Sequence, residues 1–110
     1  MEIKTRREKE ATVVAVKGRL DASSAPQFEK EISDLITGTM AHFVVDLGQL
    51  EYISSAGLRV ILSIAKQLEK MGGKIFLTNL TDQVQEVFEI SGFSAIIPIH
   101  SSVESALDQI

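Results

Sequence analysis

The sequence predicts one α/β domain, residues 1–110, on a mixed and mostly parallel sheet of about five strands with four helices. Three observations carry this prediction. Short β-branched runs alternate with stretches whose apolar residues recur at helical spacing. His42-Phe43-Val44-Val45-Asp46-Leu47 is nearly continuous in apolar residues, as a strand covered on both faces is. Each helical stretch has a readable start and stop.

The elements follow in order. Residues 2 to 8 form a polar strand at one edge, where interleaved Glu2, Lys4, Arg6, Arg7 and Glu8 discourage pairing with another chain. A short turn near Glu8-Lys9-Glu10 makes this first strand antiparallel to Thr12-Val13-Val14-Ala15-Val16, which Gly18 ends. Ser24 can cap the first helix and Gln27 can close a capping box. Phe28, Ile32, Leu35 and Ile36 give that helix its apolar stripe, and Gly38 can end it. After the strand at His42–Leu47, a second helix begins near Ser55. It carries Leu58, Ile61, Leu62, Ala65 and Leu68 on one side and stops at Gly72-Gly73. Lys74 to Thr78 is the fourth strand. A third helix starts at Thr81-Asp82, buries Val84, Val87 and Phe88, and stops at Gly92. Ile96-Ile97-Pro98-Ile99 is a strand whose proline suits an edge. The last helix starts at Ser101 and buries Val103, Leu107 and Ile110.

Composition excludes several classes of function. A hydrophobic share of 45% suffices for a packed core, and no run of eighteen apolar residues is present to span a membrane. MEIKTRREKE lacks the apolar stretch of a secretory signal, so a cytoplasmic location is expected. Cysteine is absent, which removes disulfides and thiolate metal sites. Lys+Arg 11 against Asp+Glu 15 gives a net charge of -4, which argues against direct nucleic-acid binding. His42 and His100 have no carboxylate at metal-ligand spacing, so no metal or other cofactor is expected. Phe28, Phe43, Phe76, Phe88 and Phe93 read as core, and Gly72-Gly73 lacks the ending of a phosphate-binding loop.

In parallel sheets functional groups gather beyond the carboxyl ends of the strands. Two loops stand there: Gly18-Arg19-Leu20-Asp21, and Gln49 to Gly57. The second runs into a helix start crowded with small residues, Ser54, Ser55, Ala56 and Gly57. The first N–H groups of a helix lack intrahelical acceptors and, with the helix dipole, favour an anion. A phosphate on Ser55 would sit near them. Serine is also a strong N-cap, so local physics alone leaves Ser54 or Ser55 as simple caps. Asp21 reads either as a turn or cap residue or as a contact, and Asp46 as structural or site residue. Arg59 points to solvent or to a partner. Leu58 belongs either to the core or to a docking patch.

An ordered set of segments weighs between these readings. Tyr52-Ile53-Ser54-Ser55-Ala56-Gly57-Leu58-Arg59-Val60 resembles the signature of anti-sigma-factor antagonists, bacterial members of the STAS domain family. Gly18-Arg19-Leu20-Asp21 is similar to their first loop, Val44-Val45-Asp46-Leu47 to their third strand, and Gly72-Gly73-Lys74 to the turn before their fourth. Phe88-Glu89-Ile90-Ser91-Gly92-Phe93 resembles the stop of their third helix. The resemblance implies a single STAS domain. It also implies a partner switch: the unphosphorylated protein binds an anti-sigma factor that is also a serine kinase, which frees the sigma factor. Phosphorylation by that kinase separates the two, and a PP2C-type phosphatase restores binding. The phosphorylated serine of the family falls on Ser55, and the loop Asp on Asp21. Ser54, Ala56, Gly57, Leu58 and Arg59 fall beside the phosphosite or on the partner surface. Ser54 stands where the family has Asp, and Ala56 where it has a second hydroxyl residue. The family also implies a monomer in the free form.

Two other classes compete. An enzyme with Ser55 as nucleophile needs a base within reach, and His42 starts the strand whose far end carries Ser55. The first glycine of a nucleophile elbow is replaced by Ile53, so no catalysis is expected. STAS-like domains also serve as accessory subunits in lipid-transport or stress-sensing complexes, which is the alternative function.

Overall fold

The computed structural model describes residues 1–36 and 41–110. Strand β1 (Glu2–Glu8) pairs antiparallel with β2 (Ala11–Leu20). Then come α1 (Ala25–Leu35), β3 (His42–Ile53), α2 (Ser55–Lys70), β4 (Lys74–Thr78), α3 (Asp82–Ser91), a short 3-10 turn at Phe93–Ala95, β5 (Ile99–His100) and α4 (Val103–Leu107). The sheet order is β1-β2-β3-β4-β5, and every pair after the first is parallel. This is the mixed sheet expected from the sequence, with the polar strand at one edge and β5, which Pro98 precedes, at the other.

Alternate residues of the central strands feed two cores, because successive side chains of a strand face opposite ways. Val14, Val45, Leu47 and Leu77 join Phe28, Ile32, Ile61, Ile64, Leu68, Val84 and Phe88 in the larger one, under α1, α2 and α3. Val13, Val44 and Phe76 join Val103, Ala106 and Leu107 in the smaller one, under α4. Strand β3 is therefore covered on both faces over its first half, which accounts for its unbroken apolar run.

Several expected boundaries move. Strand β2 continues past Gly18 to Leu20, with irregular pairing at Ala15/Lys17 and Gly18/Arg19. Strand β3 continues to Ile53, so most of the stretch read as a loop from Gln49 is strand. The reason is coverage: the five-residue α4 shields only the start of the sheet, and beyond it Gln49 and Glu51 are exposed while Leu50 and Ile53 stay buried. Strand β5 is two residues long instead of four, since Ile96 has helical dihedrals (φ -104, ψ -40). The capping box of α1 does not form: Ser24 makes no side-chain cap bond, and the turn is organised by Asp21 instead. The expected stop at Gly38 lies outside the described residues. Helix α4 is capped by Ser102, one residue later than expected, through its side chain and the Ser105 N–H. On α2, Leu62 and Ala65 are only half-buried and Ile64 occupies the core. The expected ends of α2 and α3 hold: Gly73 N donates to Leu68 O (2.8 Å), and Gly92 takes the left-handed φ of 82° at the end of α3.

Candidate functional site

The strands β2 and β3 end side by side, Leu20 opposite Ile53; β3 passes into α2 through Ser54 alone, and β2 reaches α1 through the turn Asp21–Ser24. The two turns are thereby placed together at the carboxyl edge of the sheet. Ser54 extends the pairing by one bond, its N–H donating to Leu20 O at 3.0 Å. One residue earlier, Arg19 lies opposite Tyr52 and its guanidinium sits 4.3 Å over the Tyr52 ring, a cation–π contact across the strands.

The first turn is held by one carboxylate. Asp21 Oδ1 accepts from Ser23 N (3.1 Å), Ser23 Oγ (2.8 Å) and Ser24 N (3.2 Å). Arg19 Nε lies 3.7 Å from the other oxygen. Ser24 Oγ donates to Arg19 O (2.8 Å) and accepts from Asp21 N (3.0 Å). The Asp21 carboxyl is held below its ordinary value, first by the Ser23 hydroxyl, with the Ser24 and Ser23 N–H groups adding to it against some desolvation. Asp21 thus does the work of a cap, and its second oxygen remains beside the stacked arginine.

The second turn is built differently. Ser54 is extended (φ -95, ψ 174) and its Oγ accepts from Gly57 N at 3.3 Å, while its carbonyl accepts from Leu58 N at 2.9 Å. Ser54 is therefore the N-cap, and Ser55 is the first helical residue. The Ser55 side chain is exposed, and its hydroxyl has no hydrogen-bond partner among the described residues. Local sequence left the cap to either serine; the geometry gives it to Ser54 and leaves Ser55 unused by the fold.

Gly57 fixes how closely this helix approaches the first turn. A Cβ there would stand 2.7 Å from Leu20 O and 2.9 Å from Leu20 Cγ, distances that real side chains do not adopt. Leu58 is buried at 7% exposure, so it supports the turn from inside the core and presents no surface. Ala56 is half-buried and Arg59 exposed, both on a shallow groove shared with Ala22, Pro26 and Glu29 of the first turn and helix. Sequence reading did not find the Arg19–Tyr52 contact, although an aromatic and a cation at strand ends are its visible ingredients.

Asp46 stands apart. Its Oδ1 accepts from Gly48 N (3.0 Å) and Asn79 Nδ2 (3.2 Å), tying β3 to the end of β4. His42 is buried at the opposite end of β3, as the first of the twelve residues of the strand that ends just before Ser54. His100 packs edge-on against Phe76, with Nδ1 at 3.3 Å from Ser105 Oγ. Neither histidine stands at the Ser55 turn.

The family model of the STAS domain matches residues 2–106. The chain is 44% identical over 94 residues to BtrV of Bordetella bronchiseptica, a protein designated an anti-sigma factor antagonist, covering 86% of this chain and 81% of that one. It is 30% identical to the anti-sigma-B factor antagonist of Bacillus subtilis, over 86% of this chain and 85% of that one. The unphosphorylated structure of the Bacillus anti-sigma factor antagonist SpoIIAA superposes with a TM-score of 0.73 at 20% identity, covering 98% of this chain and 96% of that one. SpoIIAA has also been solved in its phosphorylated form, and the likeness there has a TM-score of 0.72.

Proposed function

The chain belongs to the STAS domain family, and we propose that it is an anti-sigma-factor antagonist switched by phosphorylation of Ser55. Unphosphorylated, it binds an anti-sigma factor with serine kinase activity and so releases a sigma factor. The kinase transfers the γ-phosphoryl group of ATP to Ser55 Oγ: the Oγ–P bond forms as the bond from the γ-phosphorus to the bridging oxygen breaks, ADP leaves, the hydroxyl proton is given up to a base of the kinase or to water, and the complex separates. A PP2C-type phosphatase hydrolyses the phosphoserine and restores the binding form. The free protein is a monomer that works in the cytoplasm as a binding module, with no turnover of its own.

One observation carries this reading. Among two adjacent serines, the cap is made by Ser54, and the exposed hydroxyl at the first helical position belongs to Ser55. A kinase can take that hydroxyl without breaking a bond that holds the domain. The phosphate adds about −1.5 to −2 charges to a chain whose net charge is -4. At a helix N-terminus such a charge is favourable by roughly 0.3–1 kcal/mol. The fold therefore accepts the modification, and its cost falls on the partner that must dock over it.

Ser54, where the resemblance has Asp, fits the same scheme. It supplies the oxygen that caps Gly57 N without placing a carboxylate next to the phosphate. Incubation with the anti-sigma kinase of the same genome and ATP adds one phosphate, and peptide mass spectrometry locates it on Ser55. Phosphate on Ser54 alone, or on neither serine, would contradict the assignment.

A further inference from the structure

Strand β4 has five residues, yet β5 covers only Leu77 and Thr78. Leu77 N–H donates outward to Pro98 O at 3.0 Å, while Lys74 N–H donates to Ala41 O on the opposite side. In a parallel strand the bonding direction alternates residue by residue, so the N–H and C=O of Ile75 point outward like those of Leu77. Continued in register, β5 would offer the Ile75 carbonyl the amide of residue 98, which is a proline and has none. The chain has also turned away at Ile96, with its helical dihedrals. Ile75 is left with no backbone partner among the described residues.

A groove of about 340 Å³ runs beside Ile75, which is itself only 6% exposed. Its walls come from both helix layers: Leu62 and Ala65 of α2 on one side, Gln109 after α4 on the other, with Ile96 and Ile97 closing one end. Ile96 is 62% exposed. Lys66 and Lys74 stand on the rim against a single carboxylate, Glu69, and neither lysine is in an ion pair among the described residues.

We propose that this slot binds an extended peptide segment of a partner protein, added as a short strand along β4, with apolar side chains toward Leu62 and Ala65 and a flanking carboxylate on Lys66 or Lys74. The unpaired amide and carbonyl of Ile75 call for a backbone, which a strand supplies and a lipid or other amphiphile does not. The excess of lysine selects an acidic flank. The slot lies at the amino end of β4, the end of the sheet opposite Ser54 and Ser55, so the two sites can be filled together.

The test uses the full chain, 15N-labelled, and a blocked pentapeptide of sequence Asp-Val-Ile-Val-Asp at millimolar concentration. Expected are shifts at Lys74, Ile75 and Phe76 and an Ile75 amide whose hydrogen exchange slows roughly tenfold. The fully N-methylated peptide gives neither. Lys66→Glu, an exposed position that leaves the fold intact, weakens this peptide and strengthens one flanked by lysines. Ala65→Arg fills the groove and removes binding. No protection of Ile75, equal effects from the N-methylated peptide, an unchanged order of the two peptides on Lys66→Glu, or shifts produced by decanoate and not by the peptide would each overturn the proposal.

Discussion

The two helix starts at the carboxyl edge of the sheet lie next to each other and are built to opposite plans. At α1, a single carboxylate oxygen of Asp21 gathers the N–H and hydroxyl groups of both Ser23 and Ser24, and the two serines spend their hydroxyls inside the turn. At α2, Ser54 makes one long cap bond and Ser55 makes none. A hydroxyl already bonded at 2.8 Å to a carboxylate or carbonyl must lose that bond before it can be modified, whereas an exposed unbonded one is ready for a kinase. The first turn is thus a frame, and the second leaves a hydroxyl free for the switch proposed at Ser55. Leu20 couples them, since its carbonyl takes the Ser54 N–H and limits the side chain at position 57.

The largest break in this comparison is expected at that contact. In Gly57→Val the new side chain meets backbone that has no room to move, which costs about 3 kcal/mol in urea unfolding, and partner binding falls with it. A Gly57→Val protein as stable as wild type would mean that the two turns are not clamped together. Ser54→Ala removes the cap and is expected to cost about 1 kcal/mol, while Ser54→Asp restores the acceptor and most of the stability. Equal unfolding midpoints for all three proteins would show that Ser54 caps nothing.

Asp21 gives a smaller effect with a defined pH signature. Its folded pKa is depressed, so the stability it adds is complete above its ordinary value of 3.8 and is lost as pH falls through the lowered folded value. Asp21→Asn keeps Oδ1 and loses the charge. Its deficit relative to wild type is expected at neutral pH and should vanish in acid; a deficit that persists at pH 2 would assign Asp21 to packing. Smallest is Ser55→Ala, expected to lie within about 0.5 kcal/mol of wild type, since nothing in the fold depends on that hydroxyl. A larger loss on thermal unfolding would return Ser55 to the role of a structural residue.

Much of this was visible in the sequence. The alternation of elements, the mixed sheet with a polar first strand, and the placement of Ser55 at a helix start follow from periodicity and capping residues alone. What escaped depends on three-dimensional neighbours. Strand β3 runs on to Ile53 because it stays paired with β2 as far as Leu20, and its apolar run breaks at Gly48-Gln49 because coverage by α4 ends there. Ser24 looks like a cap from its spacing to Gln27, yet Asp21 three residues earlier takes the Ser24 N–H that the Gln27 side chain would have taken in a capping box. The clamp between Gly57 and Leu20 joins residues on two strands, and no local pattern announces it. Strand β5 shrinks to two residues because the chain turns away at Ile96 and Pro98 has no amide to donate, and the groove beside β4 opens there.

The central claim is that Ser55, and not its neighbour, carries the switch. Its most direct test is the affinity of wild type, Ser55→Ala and Ser55→Asp for the anti-sigma factor, measured with and without ATP. Without ATP, wild type and Ser55→Ala should bind alike and Ser55→Asp more weakly, because a charge at the first turn of α2 enters the interface. With ATP, wild type should dissociate while Ser55→Ala stays bound. Equal binding by all three, with or without ATP, would contradict the account and leave Ser55 as an exposed residue at the start of a helix.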